Sequence, residues 1–160
     1  MLLSPYPWCP TELSPEDGLA LVASAERLKL AAASATGLRP VLLGKRLALL
    51  SDDHASPSAQ AFEQAATALG GHVARVPASG PGEHHIQELA ALLGQLYDAI
   101  ECQGLAPADL RQLGRNAGVP VFDCMAGAHH PLRRLAASMA GDPAANHRHL
   151  LQALLSNALG

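Results

Sequence analysis

Four short apolar runs, each separated from the next by a segment of helix length, set the fold class of this chain. Leu47-Ala48-Leu49-Leu50, His72 to Val76, Tyr97 to Cys102 and Val119 to Asp123 have the length of strands. Between them, Pro57 to Leu69, His85 to Leu96 and Pro107 to Ala117 read as helices, stopped by Gly70-Gly71 and Gly118. Strands joined through helices run parallel. The spacing therefore predicts an α/β, doubly wound, four-stranded parallel sheet with helices on both faces. A further helix is expected to start at Ser14-Pro15-Glu16-Asp17, where a Ser cap, a first-position Pro and two acids suit the positive helix end. It runs to about Ala33 and is closed by Gly37 and Pro40. Two more are expected over Pro131 to Ala140 and Pro143 to Leu159. Residues 1–160 read as one domain, with an irregular arm over 1–12 and a closing helix over 143–160.

The 160 residues are 49% hydrophobic and 16% charged, enough to bury a core. Only Tyr6, Trp8, Phe62, Tyr97 and Phe122 are aromatic, so that core is built from Leu, Ala and Val. The net charge of −3, with no basic cluster beyond Arg133-Arg134, argues against nucleic acid as a partner. Cys9, Cys102 and Cys124 form no disulfide pattern and no C-x-x-C metal spacing. No metal and no cofactor are expected, although His84-His85 and His129-His130 are two histidine pairs. Cys102, at a strand end where α/β sites lie, reads as a buried structural thiol before a reactive one. The absence of a leader pattern and of a long apolar stretch predicts a cytoplasmic protein with no membrane partner.

The loop after the first strand is a natural anion site in such a sheet. Leu42 to His72 resembles the stretch of ornithine/aspartate carbamoyltransferases that carries Gly-Lys, a strand, the Ser-Thr-Arg-Thr-Arg phosphate motif, a helix and Gly-Gly. Gly44-Lys45, Glu63 and Gly70-Gly71-His72 fall in register. Tyr97-Asp98-Ala99-Ile100 and Gly118-Val119-Pro120-Val121 resemble the family's next two strands, and His130-Pro131 its His-Pro-x-Gln motif. Asn146-His147-Arg148-His149 through Gln152-Ala153-Leu154-Leu155 to Gly160 is similar to its final helix. The resemblance covers about Leu13 to Gly160. It implies a carbamoyl-phosphate-binding domain with the second domain excised and the closing helix kept.

The resemblance also implies where the chemistry has gone. The phosphate motif is replaced by Ala55-Ser56-Pro57-Ser58-Ala59, so both arginines are Pro57 and Ala59. The arginine expected after the third strand is Gln103, and the glutamine of His-Pro-x-Gln is Arg133. A hydrogen bond to a charged group contributes roughly 1.5–3 kcal/mol, so three lost partners cost roughly 4–9 kcal/mol, or about three to six decades of affinity. Ser56, Ser58, Gln103 and Arg133 remain as candidate phosphate or anion contacts, with His130 as a vestigial catalytic group. Ser56 before Pro57 reads first as an ordinary helix cap, and His130 as an ordinary helix-start residue.

The implied function is an oligomeric scaffold or regulatory module that has lost catalysis. It is expected as a homotrimer, alone or mixed with a full-length carbamoyltransferase. Two alternatives stand beside it. One is an ornithine-type carbamoyltransferase completed by a partner chain; the other is a weak sensor of phosphate-type anions.

Overall fold

A computed structural model describes residues 13–79 and 85–160. The expected arm over 1–12, with Cys9, lies outside the described residues, as does His84. Six helices and four strands are present among the described residues: α1 (Pro15–Ala33), β1 (Arg46–Leu50), α2 (Pro57–Ala68), β2 (His72–Val76), α3 (His85–Leu96), β3 (Ala99–Cys102), α4 (Pro107–Asn116), β4 (Val121–Asp123), α5 (Pro131–Ser138) and α6 (Pro143–Leu159). All strand pairs are parallel, in the order β2-β1-β3-β4. The doubly wound expectation is met.

Side chains alternate across a strand, and the two faces of this sheet are covered by different helices. Leu47 and Leu49 of β1 join Phe122 in a core with Phe62, Leu132, Leu150, Leu151 and Leu154, from α2, α5 and α6. Ala48 and Leu50 join Ile100 and Val121 in a second core against Ile86, Leu93, Leu110 and Leu113 of α3 and α4. Gly94 makes the α3–α4 packing close: a Cβ built there would stand 1.8 Å from the Ala117 carbonyl oxygen.

Helix α6 is the organising element of the first face, packing on α1, α2 and α5. It buries polar side chains and satisfies most of them locally, which holds three helices in one register. Asn146 donates to the carbonyls of Ala136 (3.3 Å) and Ala140 (3.2 Å) and accepts from Lys29 of α1 (3.2 Å). Gln152 pairs with His149 (3.0 Å) and donates to the Ala65 carbonyl of α2 (3.4 Å).

Element ends differ from the expectation in three strands, of which β1 starts at Arg46 rather than Leu47. β3 starts at Ala99 rather than Tyr97, because the Tyr97 N–H still donates to Leu93 of α3 and Asp98 spends its carboxylate on the Arg46 N–H, 2.8 Å away. β4 starts at Val121 rather than Val119, because Gly118 turns with φ +72° and Pro120 has no N–H to pair. α5 ends at Ser138 rather than Ala140, ahead of Gly141 at φ +98°.

Candidate functional site

In an open parallel sheet, ligands sit beyond the strand carboxyl ends where the winding reverses, here between β1 and β3. The residues singled out from the sequence converge there with one exception. Ser56 caps α2 by accepting from the Ala59 N–H (3.2 Å), Ser56 and Ser58 hydroxyls stand 3.4 Å apart, and Ser58 donates to Gln103 Oε1 across the gap (3.4 Å). Beside them a cleft of about 360 Å³ is lined by Ser58, Asp123, Cys124, Gly127, Ala128, His129 and His130. Arg133 does not line it; its side chain belongs to another cleft, between α2, α5 and α6.

This cleft contains no lysine and no arginine among its described lining residues. The start of α2 adds few free donors. Pro57 has no N–H, the Ala59 N–H is taken by the Ser56 hydroxyl and the Gln60 N–H by the Ser56 carbonyl. That leaves the N–H of Ser58. The loop before α2 is fixed by other groups: His54 Nε2 reaches the carbonyls of Leu49 (3.1 Å) and Val76 (3.2 Å), and Asp52 accepts from the N–H groups of Ala78 and Ser79. The Asp52 carboxyl is held below its ordinary pKa, first by the Ser79 hydroxyl.

His130 is buried and serves α5 as its N-cap, with Nδ1 accepting from the Leu132 N–H at 3.2 Å. Ser14-Pro15, Ser56-Pro57 and Asp142-Pro143 cap α1, α2 and α6 in the same way. Burial, followed by His147 nearby, pushes the His130 pKa down to about 4, so the ring is neutral at neutral pH.

Carboxyl groups, not cations, surround the cleft. Asp123 lines it, with its pKa raised by burial. Glu101 was missed in the sequence, although an acid inside the run Ala99–Cys102 was the available signal. It pairs in register with Leu49 and Phe122 and so points into the first core, fully buried. Its Oε1 accepts from the Met125 N–H (3.1 Å), while Oε2 has no hydrogen-bond partner. Desolvation raises its pKa to about 8, and main-chain hydrogen bonding, first from Met125, opposes this only in part. Burial likewise lifts the thiol of Cys102 well above its ordinary value and that of Cys124 to about 11. Both are protonated at neutral pH and poor nucleophiles. Cys124 adopts φ +48°, and the turn it opens is closed by Gly127, where a Cβ would stand 2.7 Å from the Cys124 sulfur. No group of three or more His, Cys, Asp or Glu able to hold a metal occurs among the described residues.

The chain and its fold have relatives among known proteins. Residues 9–140 match the family model described as aspartate/ornithine carbamoyltransferase, carbamoyl-P binding domain. Ornithine carbamoyltransferase of Cutibacterium acnes is 36% identical over 101 residues, which is 61% of this chain and 30% of that protein. A catabolic ornithine carbamoyltransferase of Burkholderia mallei is 37% identical over 101 residues, with the same coverage. The chain thus spans about a third of the length of these relatives. Among solved structures, ornithine carbamoyltransferase from Thermus thermophilus superposes with a TM-score of 0.67 at 26% identity, over 85% of this chain and 47% of that one. The mitochondrial ornithine carbamoyltransferase from Coccidioides immitis gives 0.69 at 20% identity, over 89% and 48%. The chain belongs to the aspartate/ornithine carbamoyltransferase family, matching the domain that the family model describes as carbamoyl-P binding.

Proposed function

We propose that this domain no longer transfers a carbamoyl group and serves instead as an oligomeric scaffold or regulatory module in the cytoplasm, built on the family fold. The observation that carries this reading is the electrostatics of the cleft at the β1–β3 switch. A dianionic phosphate is held by charge-assisted donors, and its transfer needs preorganised positive charge. Here the described lining offers a neutral His130, a serine hydroxyl, the half-buried thiol of Cys124 and the carboxyl of Asp123, with Glu101 near the loop that follows. One carboxyl and no guanidinium or ammonium group among the described lining leave a dianion without its counter-charge. Closing helix α6 and the caps at α2 and α5 stay intact, so the surviving residues serve the fold.

The scaffold part draws on the surface. Leu19 and Leu30 of α1 are each 73% exposed and lie eleven residues apart, on one helical face; Leu92 and Leu96 of α3 are exposed and four apart. Apolar side chains gathered in this way are covered when subunits associate. The expected state is a homotrimer, and the expected partner a full-length carbamoyltransferase.

Carbamoyl phosphate titrated into the purified chain is expected to show no micromolar binding that depends on Ser58, and mixing with ornithine no citrulline-type product. Light scattering on the eluting protein is expected to report three chains of 16.6 kDa each. Micromolar carbamoyl phosphate binding that Ser58→Ala removes would overturn the loss of the parental site; a monomer that ignores the full-length enzyme would overturn the scaffold.

A further inference from the structure

The arginine that is absent from the parental cleft stands in a different one. A cleft of about 220 Å³ lies between α2, α5 and α6, lined by Ala61, Gln64, Arg133, Ala144, His147, Arg148 and Leu151. Both arginines are exposed, and among the described residues no hydrogen bond or ion pair engages either guanidinium. The described residues contain one salt bridge, Arg75 to Glu63, and it lies elsewhere. His147 is 3% exposed, and its Nε2 has no partner. No aspartate or glutamate lines the cleft.

The placement of these charges runs against helix stability. Helix N-termini carry partial positive charge and favour acids. α1 has Glu16 and Asp17 in its first turn, α3 has Glu88 and α4 has Asp109, while α2 has no acid there. The first turns of α5 and α6 carry no acid, and within two turns of those starts stand Arg133 and Arg148. Asp142 caps the start of α6, whereas the guanidinium forks of Arg133 and Arg148 meet no acid in the lining of the concavity among the described residues. At α6 the Ala145 and Asn146 N–H groups are used by Asp142, whereas that of Ala144, which lines the cleft, has no partner.

We propose that the α2–α5–α6 cleft is a binding site for a phosphoryl oxyanion, gripped by Arg133 and Arg148 over the imidazole floor of His147. Guanidinium forks match phosphate oxygens two at a time, which a point charge does not. The volume equals that of about seven waters, room for a phosphate group with a short substituent and too little for a nucleotide. The site is separate from the parental cleft: the two share no lining residue. It would let a domain that has lost its parental chemistry still report a phosphorylated metabolite to whatever it assembles with.

The test is calorimetric titration of the full chain with inorganic phosphate and, separately, with glycerol 3-phosphate, at constant ionic strength. Saturable binding at one site per chain is expected. Arg148→Ala is expected to weaken it about tenfold to a hundredfold, the loss of one charge-assisted contact, and Arg133→Ala/Arg148→Ala to abolish it. Ser58→Ala is expected to leave it unchanged, which separates this site from the parental one. The His147 ring resonances are expected to move with each titration. Tighter binding of the ester identifies a phosphorylated metabolite as the source, and tighter binding of inorganic phosphate the free ion. Absence of saturable binding, binding indifferent to Arg148→Ala, or binding lost in Ser58→Ala would each overturn the proposal.

Discussion

Glu101→Gln is expected to stabilise the protein strongly at pH 8 and hardly at all near pH 4.5. In the folded chain the Glu101 carboxyl keeps its proton up to about pH 8; its ordinary value is 4.5. Between those two values, unfolding releases a proton. Stability from this group is therefore complete below pH 4.5, falls as pH rises, and reaches its floor above about pH 8. At 1.36 kcal/mol per pH unit, the penalty is about 3 kcal/mol at pH 7 and about 5 kcal/mol above pH 8. Glutamine keeps the acceptor for the Met125 N–H and cannot ionise. Thermal melts of both proteins across pH 4.5 to 8.5 measure this directly, with a gap at the upper end of roughly 10 °C. A gap of constant size across that range would show that the carboxyl ionises freely in the folded state. The same acid weighs on the cleft: ionised above pH 8, it would add negative charge near a site whose parental ligand is an anion.

Gly94→Ala is expected to be the most damaging glycine-to-alanine change among the described residues. The added Cβ would stand 1.8 Å from the Ala117 oxygen, 2.8 Å from its carbonyl carbon and 3.2 Å from its Cα. All three atoms are main chain, so no side-chain rotation relieves the overlap. Helices α3 and α4 must separate, which opens the second core at Leu93 and Leu113. Overpacking costs typically 1–3 kcal/mol and more where backbone must move; a loss of about 3 kcal/mol or more is expected. Urea unfolding gives the number, and a change under about 1 kcal/mol would mean that the helices pack less closely than described. Gly104 is an informative control, because a Cβ there meets nothing within 4 Å. Its φ of +80° still leaves a strain cost for Gly104→Ala, so the comparison isolates overlap from backbone strain.

The two effects differ in how readily they could be anticipated. Gly94 sits in the interior of α3, where glycine lowers helix propensity, and that is a signal of a packing demand. Its partner, the carbonyl of Ala117, is 23 residues away and becomes visible only when the helices are laid side by side. Glu101 was read as part of an apolar strand. Which face it occupies follows from the pairing of β3 with β1 and β4, and the alternation of four residues does not define it.

The parental site was legible to a useful extent. Ser56, Ser58, Gln103 and His130 were each marked by position relative to a strand end or a helix start, and local geometry places such residues at the switch point whatever packs around them. Arg133 was marked by the same motif and goes elsewhere. It is two residues past Pro131 on α5, and its side chain turns toward α6, a helix that has no sequence neighbourhood with the phosphate motif. The pairing of Arg133 with Arg148 and His147 is a tertiary fact.

The order of strands and helices, the capped helix starts and the replacement of guanidinium groups by Pro57, Ala59 and Gln103 were determined by the sequence alone, because each depends on contacts within a few residues or on the identity of one side chain. The protonated state of Glu101, the neutral ring of His130 and the cation pair beside His147 were decided only by the tertiary structure. Each depends on desolvation or on charges brought from distant helices, and neither quantity exists until the chain has closed on itself.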